Sequence, residues 1–256
     1  MLLKRRLSVL WAAAIMLLTV LLASGAALGI TNGTADGGKH PNVGALVDEF
    51  DGETYPYCTG TLISPTVLLT AAHCYPETDD KFYVTFKEKP TSVMSQDQGL
   101  RGTWHEHPTI DIGVVKFAQP VSGITPAKLP TAGQVARQAK STNKFTAVGY
   151  GGELAPKEPG GPLIVYGDQR KWAVSTYKSF NGTYLRLSQN QGSGGTCYGD
   201  SGGPNFFGVY PYPNNVPTIA SITITGDNWC KSTNVTLRLD TEPVRAFLKS
   251  QGVTPP

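Results

Sequence analysis

A serine, a histidine and an aspartate stand in sequence contexts that suit nucleophilic catalysis. Ser201 lies in the glycine-rich turn that runs from Gly195 to Pro204. Glycine permits backbone conformations that leave N–H groups pointing at a ligand. A serine hydroxyl beside such amides provides what acyl transfer requires, namely a nucleophile and donors for the negative oxygen that forms after attack.

The histidine and the aspartate complete a possible proton relay. A free serine hydroxyl is a weak nucleophile, and His73 can take its proton because an unperturbed imidazole titrates near neutral pH. Asp111 stands between Ile110 and Ile112, and a carboxylate in such an apolar run is costly to bury without a partner. We therefore expect Asp111 to bind the second ring nitrogen of His73 and to fix its tautomer.

Three segments carry a family resemblance. Leu69–Cys74, Thr109–Val115 and Gly195–Pro204 resemble the motifs of the trypsin/chymotrypsin family of serine proteases, in its bacterial secreted form. The order of His73, Asp111 and Ser201 along the chain is also that of chymotrypsin. The resemblance spans about Ile30 to Ser250, and it implies a serine endopeptidase that forms an acyl-enzyme on Ser201.

The resemblance also implies roles around the serine. The amides of Gly199 and Ser201 would form the oxyanion hole, and Asp200 would pair with the amine of a new N-terminus at Ile30. The run Ile30-Thr31-Asn32-Gly33 agrees with the family pattern Ile-Val-Gly-Gly at its first and last positions. Cleavage before Ile30 would release an active enzyme, whereas cleavage after Ala26 would leave a short propeptide to be removed.

The same resemblance bears on substrate preference. Six residues before the nucleophile, where trypsin-like enzymes carry an aspartate for Lys or Arg, this chain has Gly195. The other expected pocket residues are Thr196, Tyr198, Thr223, Ile224 and Thr225, and Thr225 stands where the family usually has glycine. We expect cleavage after small or medium apolar residues rather than after Lys or Arg.

Four cysteines allow three pairings in an oxidised protein. Zinc ligation is the alternative, but the sequence has no Cys-x-x-Cys spacing. The resemblance implies the pairs Cys58–Cys74 and Cys197–Cys230, which would brace the segments around His73 and Ser201. We expect no metal and no cofactor.

Short β-branched and aromatic runs, separated by Gly, Pro, Asn or Asp, predict an all-β protein, either a β-sandwich or a β-barrel. The resemblance implies two six-stranded antiparallel β-barrels with the active site between them: a first barrel over about residues 30–138, a second over about 145–239, and a C-terminal helix over about 241–251. Asp240 or Thr241 can cap that helix, and Gly252 can end it. The runs are Val43–Val47, Thr61–Ile63, Thr66–Thr70, Phe82–Phe86, Ile112–Phe117, Phe145–Tyr150, Trp172–Tyr177, Tyr184–Leu187, Thr218–Thr225 and Val235–Leu239.

Residues 1–29 are typical of a secretory signal, with a basic start, an apolar run and small residues before Ile30. A membrane anchor is the alternative, because the apolar run is nearly long enough to span a bilayer. Without Lys4, Arg5 and Arg6 the chain has 19 basic and 19 acidic residues, so its charge favours neither nucleic acid nor an anionic membrane. We expect a secreted monomer, without stable membrane association, that acts on proteins or peptides.

Two other functions compete with a protease. A catalytically silent relative could bind partners through the same scaffold, although such proteins usually lose a triad member. An esterase of another fold would also carry Gly-x-Ser-x-Gly, which Gly199–Gly203 matches. That fold, however, places serine first in the chain, followed by the acid and the histidine, and here His73 and Asp111 come first.

Overall fold

The computed structural model describes residues 30–50, 53–76, 82–90, 99–154, 164–189 and 194–256. The predicted secretory signal, residues 1–29, lies outside the described residues. None of the helices in the described part of the chain has the length and hydrophobicity needed to span a bilayer.

Strands dominate the described chain, as its short β-branched runs predict. The strands are β1 Thr34–Ala35, β2 Val43–Phe50, β3 Glu53–Ser64, β4 Val67–Thr70, β5 Tyr83–Thr85, β6 Gly102–Glu106, β7 Gly113–Phe117, β8 Lys144–Gly149, β9 Glu153–Leu154, β10 Ile164–Val165, β11 Lys171–Phe180, β12 Tyr184–Ser188, β13 Pro204–Phe207, β14 Ile219–Gly226 and β15 Thr233–Arg238. The α-helices are α1 Gln134–Gln138 and α2 Glu242–Ser250, and short 3₁₀ turns cover Ala72–Cys74 and Pro213–Asn215.

The strands other than β9 and β10 form two antiparallel barrel sheets, while β9 and β10 pair with each other in a separate two-stranded sheet. The first has the order β5-β2-β3-β4-β7-β6, and it curls until Val84 in β5 bridges to Leu100, just before β6. The second has the order β1-β11-β12-β15-β14-β13-β8, and it closes because the long strand β11 pairs with both β12 and β8. In the second sheet the six strands from β11 to β8 form the closed barrel and β1 is added at its edge, whereas the first sheet of six strands is curled into a half-barrel. The predicted all-β fold class, with two barrel sheets and a C-terminal helix, is confirmed.

One apolar cluster joins the two barrels. Leu69 of the first sheet, Ile112 just before β7, and Phe206 and Ile222 of the second sheet belong to the same buried core. Helix α2 adds Val244, Phe247 and Leu248 to that core, at the i, i+3, i+4 spacing read from the sequence. This shared core fixes the barrels against each other and therefore fixes any site that lies between them.

Helix α2 begins and ends much as its sequence predicts. Thr241 is the N-cap residue but makes no side-chain cap bond, while the Asp240 carboxylate accepts a hydrogen bond from the Val135 amide at the start of α1. At the other end Gly252 is left-handed, with φ of 87°. The amide of Gly252 donates to the Lys249 carbonyl and that of Val253 donates to the Leu248 carbonyl, which is the Schellman arrangement.

A buried ionic network ties the segment before β2 to the second barrel. The Asp36 carboxylate accepts hydrogen bonds from Arg170 Nε at 3.0 Å and from the His40 amide at 3.0 Å, and it also pairs with His40 Nδ1. Arg170 is 2% exposed, and it donates further bonds to the carbonyls of Val43 and Phe86. Burial alone would raise the pKa of Asp36, but the His40 hydrogen bond and the Arg170 charge outweigh burial and hold the pKa below its ordinary value.

Replacing Arg170 by alanine is expected to lower the free energy of unfolding by about 3–5 kcal/mol, because it leaves a buried carboxylate without its cation. Urea unfolding at neutral pH measures the effect. The stability that Asp36 contributes is present above its ordinary pKa and is lost as pH falls through its lowered native pKa. The difference in the free energy of unfolding between variant and wild type should therefore become smaller in acid. Arg137→Ala, at an exposed position of α1, is the matched control and should cost less than about 1 kcal/mol. Equal effects of the two substitutions would contradict this role for Arg170.

Candidate active site

The turn that carries Ser201 is fixed by two glycines and by contacts with both barrels. Gly199 and Gly202 have φ of 93° and 78°, which favour glycine. A Cβ at Gly202 would lie 2.1 Å from Thr70 Oγ1, so a larger residue could not enter without displacing the first barrel. The Thr59 amide of β3 donates to the Ser201 carbonyl at 2.9 Å, and the Gly202 amide donates to the Thr223 carbonyl of β14 at 2.7 Å. Ser201 therefore stands where the two barrels meet.

Strand pairing brings His73 and Asp111 together. His73 lies in the 3₁₀ turn after β4, Asp111 lies just before β7, and Thr70 of β4 pairs with Gly113 of β7. Asp111 Oδ2 is 2.8 Å from His73 Nδ1, and Asp111 Oδ1 accepts a hydrogen bond from the backbone amide of His73 at 3.0 Å. The disulfide Cys58–Cys74 ties the same turn to β3.

The carboxylate of Asp111 sets the state of the imidazole. Burial alone would raise the pKa of Asp111, but the hydrogen bonds from the His73 side chain and backbone outweigh burial and lower it. Asp111 is therefore ionised at neutral pH and accepts a hydrogen bond from the Nδ1–H group of His73. In the neutral ring this leaves Nε2 as a proton acceptor.

His73 and Ser201 line the same cleft, which has a volume of about 460 Å³. Tyr57 and Cys58 of the first barrel contribute to this cleft beside His73, Tyr166 comes from the segment after β10, and the other lining residues lie in the segment from Thr196 to Cys230. The structure thus brings the three predicted residues, distant in sequence, to one place.

A comparison with protein families agrees with this geometry. The trypsin family model matches residues 32–236, which is most of the chain. The chain belongs to the trypsin family. It is accordingly a serine endopeptidase, which hydrolyses protein or peptide substrates.

Both disulfides of this trypsin-family protease lie beside the cleft. Cys197–Cys230 links the Ser201 turn to the segment after β14. Cys58, His73 and Cys74 are the one group of three potential metal ligands that lie close together among the described residues. They do not form a thiolate site, because the two sulfur atoms are bonded to each other.

The predicted pocket residues fall on the cleft with one exception. Thr196, Tyr198, Thr223, Ile224 and Thr225 all line it. Gly195 is not among the lining residues, because the side chain of Gln189 occupies the space next to it: a Cβ on Gly195 would lie 2.3 Å from Gln189 Oε1.

Sequence reasoning missed several residues of the cleft. Tyr57, Tyr166, Asp227 and Asn228 line it, and none belongs to a recognisable motif. A neighbouring cysteine is the sequence signal that could have indicated three of them. Tyr57 precedes Cys58, and Asp227 and Asn228 closely precede Cys230.

Asp227 adds a negative charge to the cleft. Burial alone would raise its pKa, but the amides of Lys231, Thr233 and Ser232 donate to the carboxylate at 2.7–3.0 Å and lower the pKa. Asp227 is therefore ionised at neutral pH. Because these amides already hold the carboxylate, less of its charge is available to a substrate.

The carboxyl group of Asp200 is fully buried below the serine turn. It accepts hydrogen bonds from the amides of Gly151 at 2.8 Å and Cys197 at 2.9 Å, and no cation pairs with it among the described residues. Burial raises the pKa of Asp200 to about 7, against the two amides, which lower it. Ile30 is also buried, in a cluster with Ala147 and Ala173.

The two amides predicted to bind the oxyanion are those of Gly199 and Ser201, both on the cleft. Within the described residues neither amide donates an internal hydrogen bond. The carbonyl of Gly199, in contrast, accepts a hydrogen bond from the Thr59 hydroxyl at 3.0 Å, which fixes the peptide group between Gly199 and Asp200.

Proposed function

We propose that the protein is a secreted serine endopeptidase whose nucleophile is Ser201, whose general base is His73 and whose orienting carboxylate is Asp111. The single observation that carries this proposal is that His73, hydrogen-bonded to Asp111 at 2.8 Å, lines the same cleft as Ser201. A secretory signal in residues 1–29 and two disulfides support secretion.

The reaction follows from the state of each group. Ser201 Oγ attacks the scissile carbonyl carbon while His73 Nε2 takes the hydroxyl proton, and ionised Asp111 stabilises the imidazolium. The amides of Gly199 and Ser201 donate to the oxyanion. His73 then gives its proton to the leaving amine, which leaves an acyl group on Ser201, and a water molecule activated by His73 hydrolyses that ester.

We propose a preference for small or medium apolar side chains on the acyl side of the bond. Thr196 and Thr223 present small side chains to the cleft, and Thr225 stands exposed at its edge. Asp227 is the feature that favours the alternative, a basic side chain, because it is ionised on the same cleft.

Acyl-enzyme kinetics test the proposal. A p-nitrophenyl ester is expected to release a burst of about one equivalent of nitrophenol per active site, because deacylation is slower than acylation. Peptide anilides with Ala, Val, Leu, Phe, Lys or Arg before the anilide then report the preference, and we expect Ala, Val or Leu to give the highest kcat/KM. Absence of a burst and of peptide cleavage would refute the proposed reaction, whereas faster cleavage after Lys or Arg would refute only the preference. Asp227→Asn tests the alternative, since it should slow cleavage of the basic peptides alone if Asp227 binds them.

A further inference from the structure

Gln189 is a buried polar side chain that the proposed reaction does not use. It directly follows β12 and is 2% exposed. Its Oε1 atom accepts hydrogen bonds from the Thr196 amide at 2.8 Å and from the Thr196 hydroxyl at 3.2 Å, and its Nε2 atom donates to the Thr196 carbonyl at 3.1 Å. The carboxamide therefore forms hydrogen bonds with the amide, the hydroxyl and the carbonyl of Thr196, a residue of the cleft wall.

The position of Gln189 explains why Gly195 has no side chain. A Cβ on Gly195 would lie 2.3 Å from Gln189 Oε1 and 2.5 Å from both Gln189 Cβ and Gln189 Cδ, so the space is full. Gly195 itself is held from the other side, because its amide donates to the Thr31 carbonyl at 3.0 Å. Gln189 thus takes the volume into which a side chain at position 195 would project, directly behind Thr196.

We infer that Gln189 is a specificity-determining residue that closes the base of the acyl-side pocket behind Thr196. This inference rests on the proposed function. A carboxamide carries no net charge, and both Oε1 lone pairs are engaged by Thr196, so the base offers nothing to balance a Lys or Arg side chain. The volume of the Gln189 carboxamide also keeps the pocket shallow, which restricts the pocket to short substrate side chains.

Two substitutions alter the depth and the charge of that base separately. Gln189→Ala removes the carboxamide and opens space behind Thr196, which should admit longer side chains. Gln189→Glu keeps the size and can still accept from the Thr196 amide and hydroxyl, but it adds a negative charge and loses the donor to the Thr196 carbonyl. The exposed Gln138→Ala on α1, outside the cleft, is the matched control.

The experiment measures kcat/KM for peptide anilides that end in Ala, Leu, Phe or Lys on wild type and the three variants. Gln189→Ala should raise the Leu-to-Ala and Phe-to-Ala ratios by about tenfold or more, the discrimination that a methylene group or two provides in a pocket. Gln189→Glu should raise the Lys-to-Ala ratio by at least about tenfold, and Gln138→Ala should change no ratio. A ratio of two substrates on one sample is independent of the fraction of folded enzyme, so partial misfolding of a variant does not obscure the result.

The outcomes separate this inference from the proposed reaction. If wild type is active and both Gln189 variants lower kcat/KM for every peptide by the same factor, Gln189 has only a structural role and the inference is wrong. If wild type gives neither an acylation burst nor cleavage of any peptide, the proposed function itself fails.

Discussion

Replacement of Ser201 by alanine is expected to lower kcat for peptide hydrolysis by about 10⁶-fold, because the reaction then lacks the nucleophile that His73 activates. His73→Ala should cost about as much, since the serine then keeps its proton. The double variant should be no worse than either single variant, because residues that act as one unit show non-additive effects. Asp111→Asn should cost about 10⁴-fold, because an amide no longer holds the imidazole in the reactive tautomer. Steady-state kinetics on a peptide anilide measure all four.

A loss of folding would imitate these losses of activity. Ser201 is half-buried and His73 is partly exposed, so neither substitution should move the thermal unfolding midpoint by more than a few degrees. Ser250→Ala, at the end of α2, is the matched control, and it removes only the hydrogen bond that Ser250 donates to the Phe247 carbonyl and the one that it accepts from the Gln251 side chain. Retention of most activity in Ser201→Ala, with the protein folded, would contradict the assigned nucleophile.

A free amine at Ile30 is expected to raise kcat/KM by about 10²–10³-fold over a form that keeps Ala27-Leu28-Gly29 at its start. Asp200 is buried without a cation among the described residues, and Ile30 is buried in the same barrel. An ammonium group there would pair with the Asp200 carboxylate and hold the Gly199 amide toward the oxyanion. The range corresponds to the typical loss of one oxyanion donor. Kinetics of the two forms, with their N-termini verified by mass, measure the difference.

The same pairing predicts that the stability of the two forms depends differently on pH. In the extended form the pKa of Asp200 is raised to about 7, so the stability associated with its protonated state is present below about pH 4 and is lost as pH rises through 7. In the form that begins at Ile30 the ion pair keeps Asp200 charged, and stability should not fall over this range. Asp200→Asn serves as the control, since it removes the titration from both forms. Equal activity of the two forms at neutral pH would contradict the pairing.

The catalytic side chains proposed for this protease could be predicted from the sequence because each of the three motifs is one short continuous segment. Each of His73, Asp111 and Ser201 stands in a short segment that also specifies its own turn or strand end. The turn around Ser201 needs left-handed backbone at Gly199 and Gly202, and glycine marks both positions. The fold class followed from the resemblance and from β-branched runs that alternate with turn residues.

Strand limits were less predictable where pairing rather than composition decides them. Thr61–Ile63 is only part of β3, which begins at Glu53, because pairing with β2 extends the strand through polar residues. Strand β6 was missed altogether. It holds Gly102, His105 and Glu106 and is paired on one side by β7, so it lacks the apolar pattern of a buried strand.

The walls of the cleft could not be derived from sequence, because they depend on contacts between distant segments. Gln189 fills the space beside Gly195, and no rule of sequence spacing predicts that contact. Tyr166 follows the short strand β10, and it reaches the cleft because β10 pairs with β9. Arg170 and Asp36 are 134 positions apart, and strand β1 brings them together when it pairs with β11.

A fluorophosphonate probe tests the central assignment most directly, because it reacts with a serine hydroxyl only where a neighbouring base activates it. The intact protein should gain one adduct, which peptide mapping should place on Ser201, and His73→Ala should slow its formation by several orders of magnitude. An adduct on another residue of the fully active protein, or unchanged labelling in His73→Ala, would contradict the account.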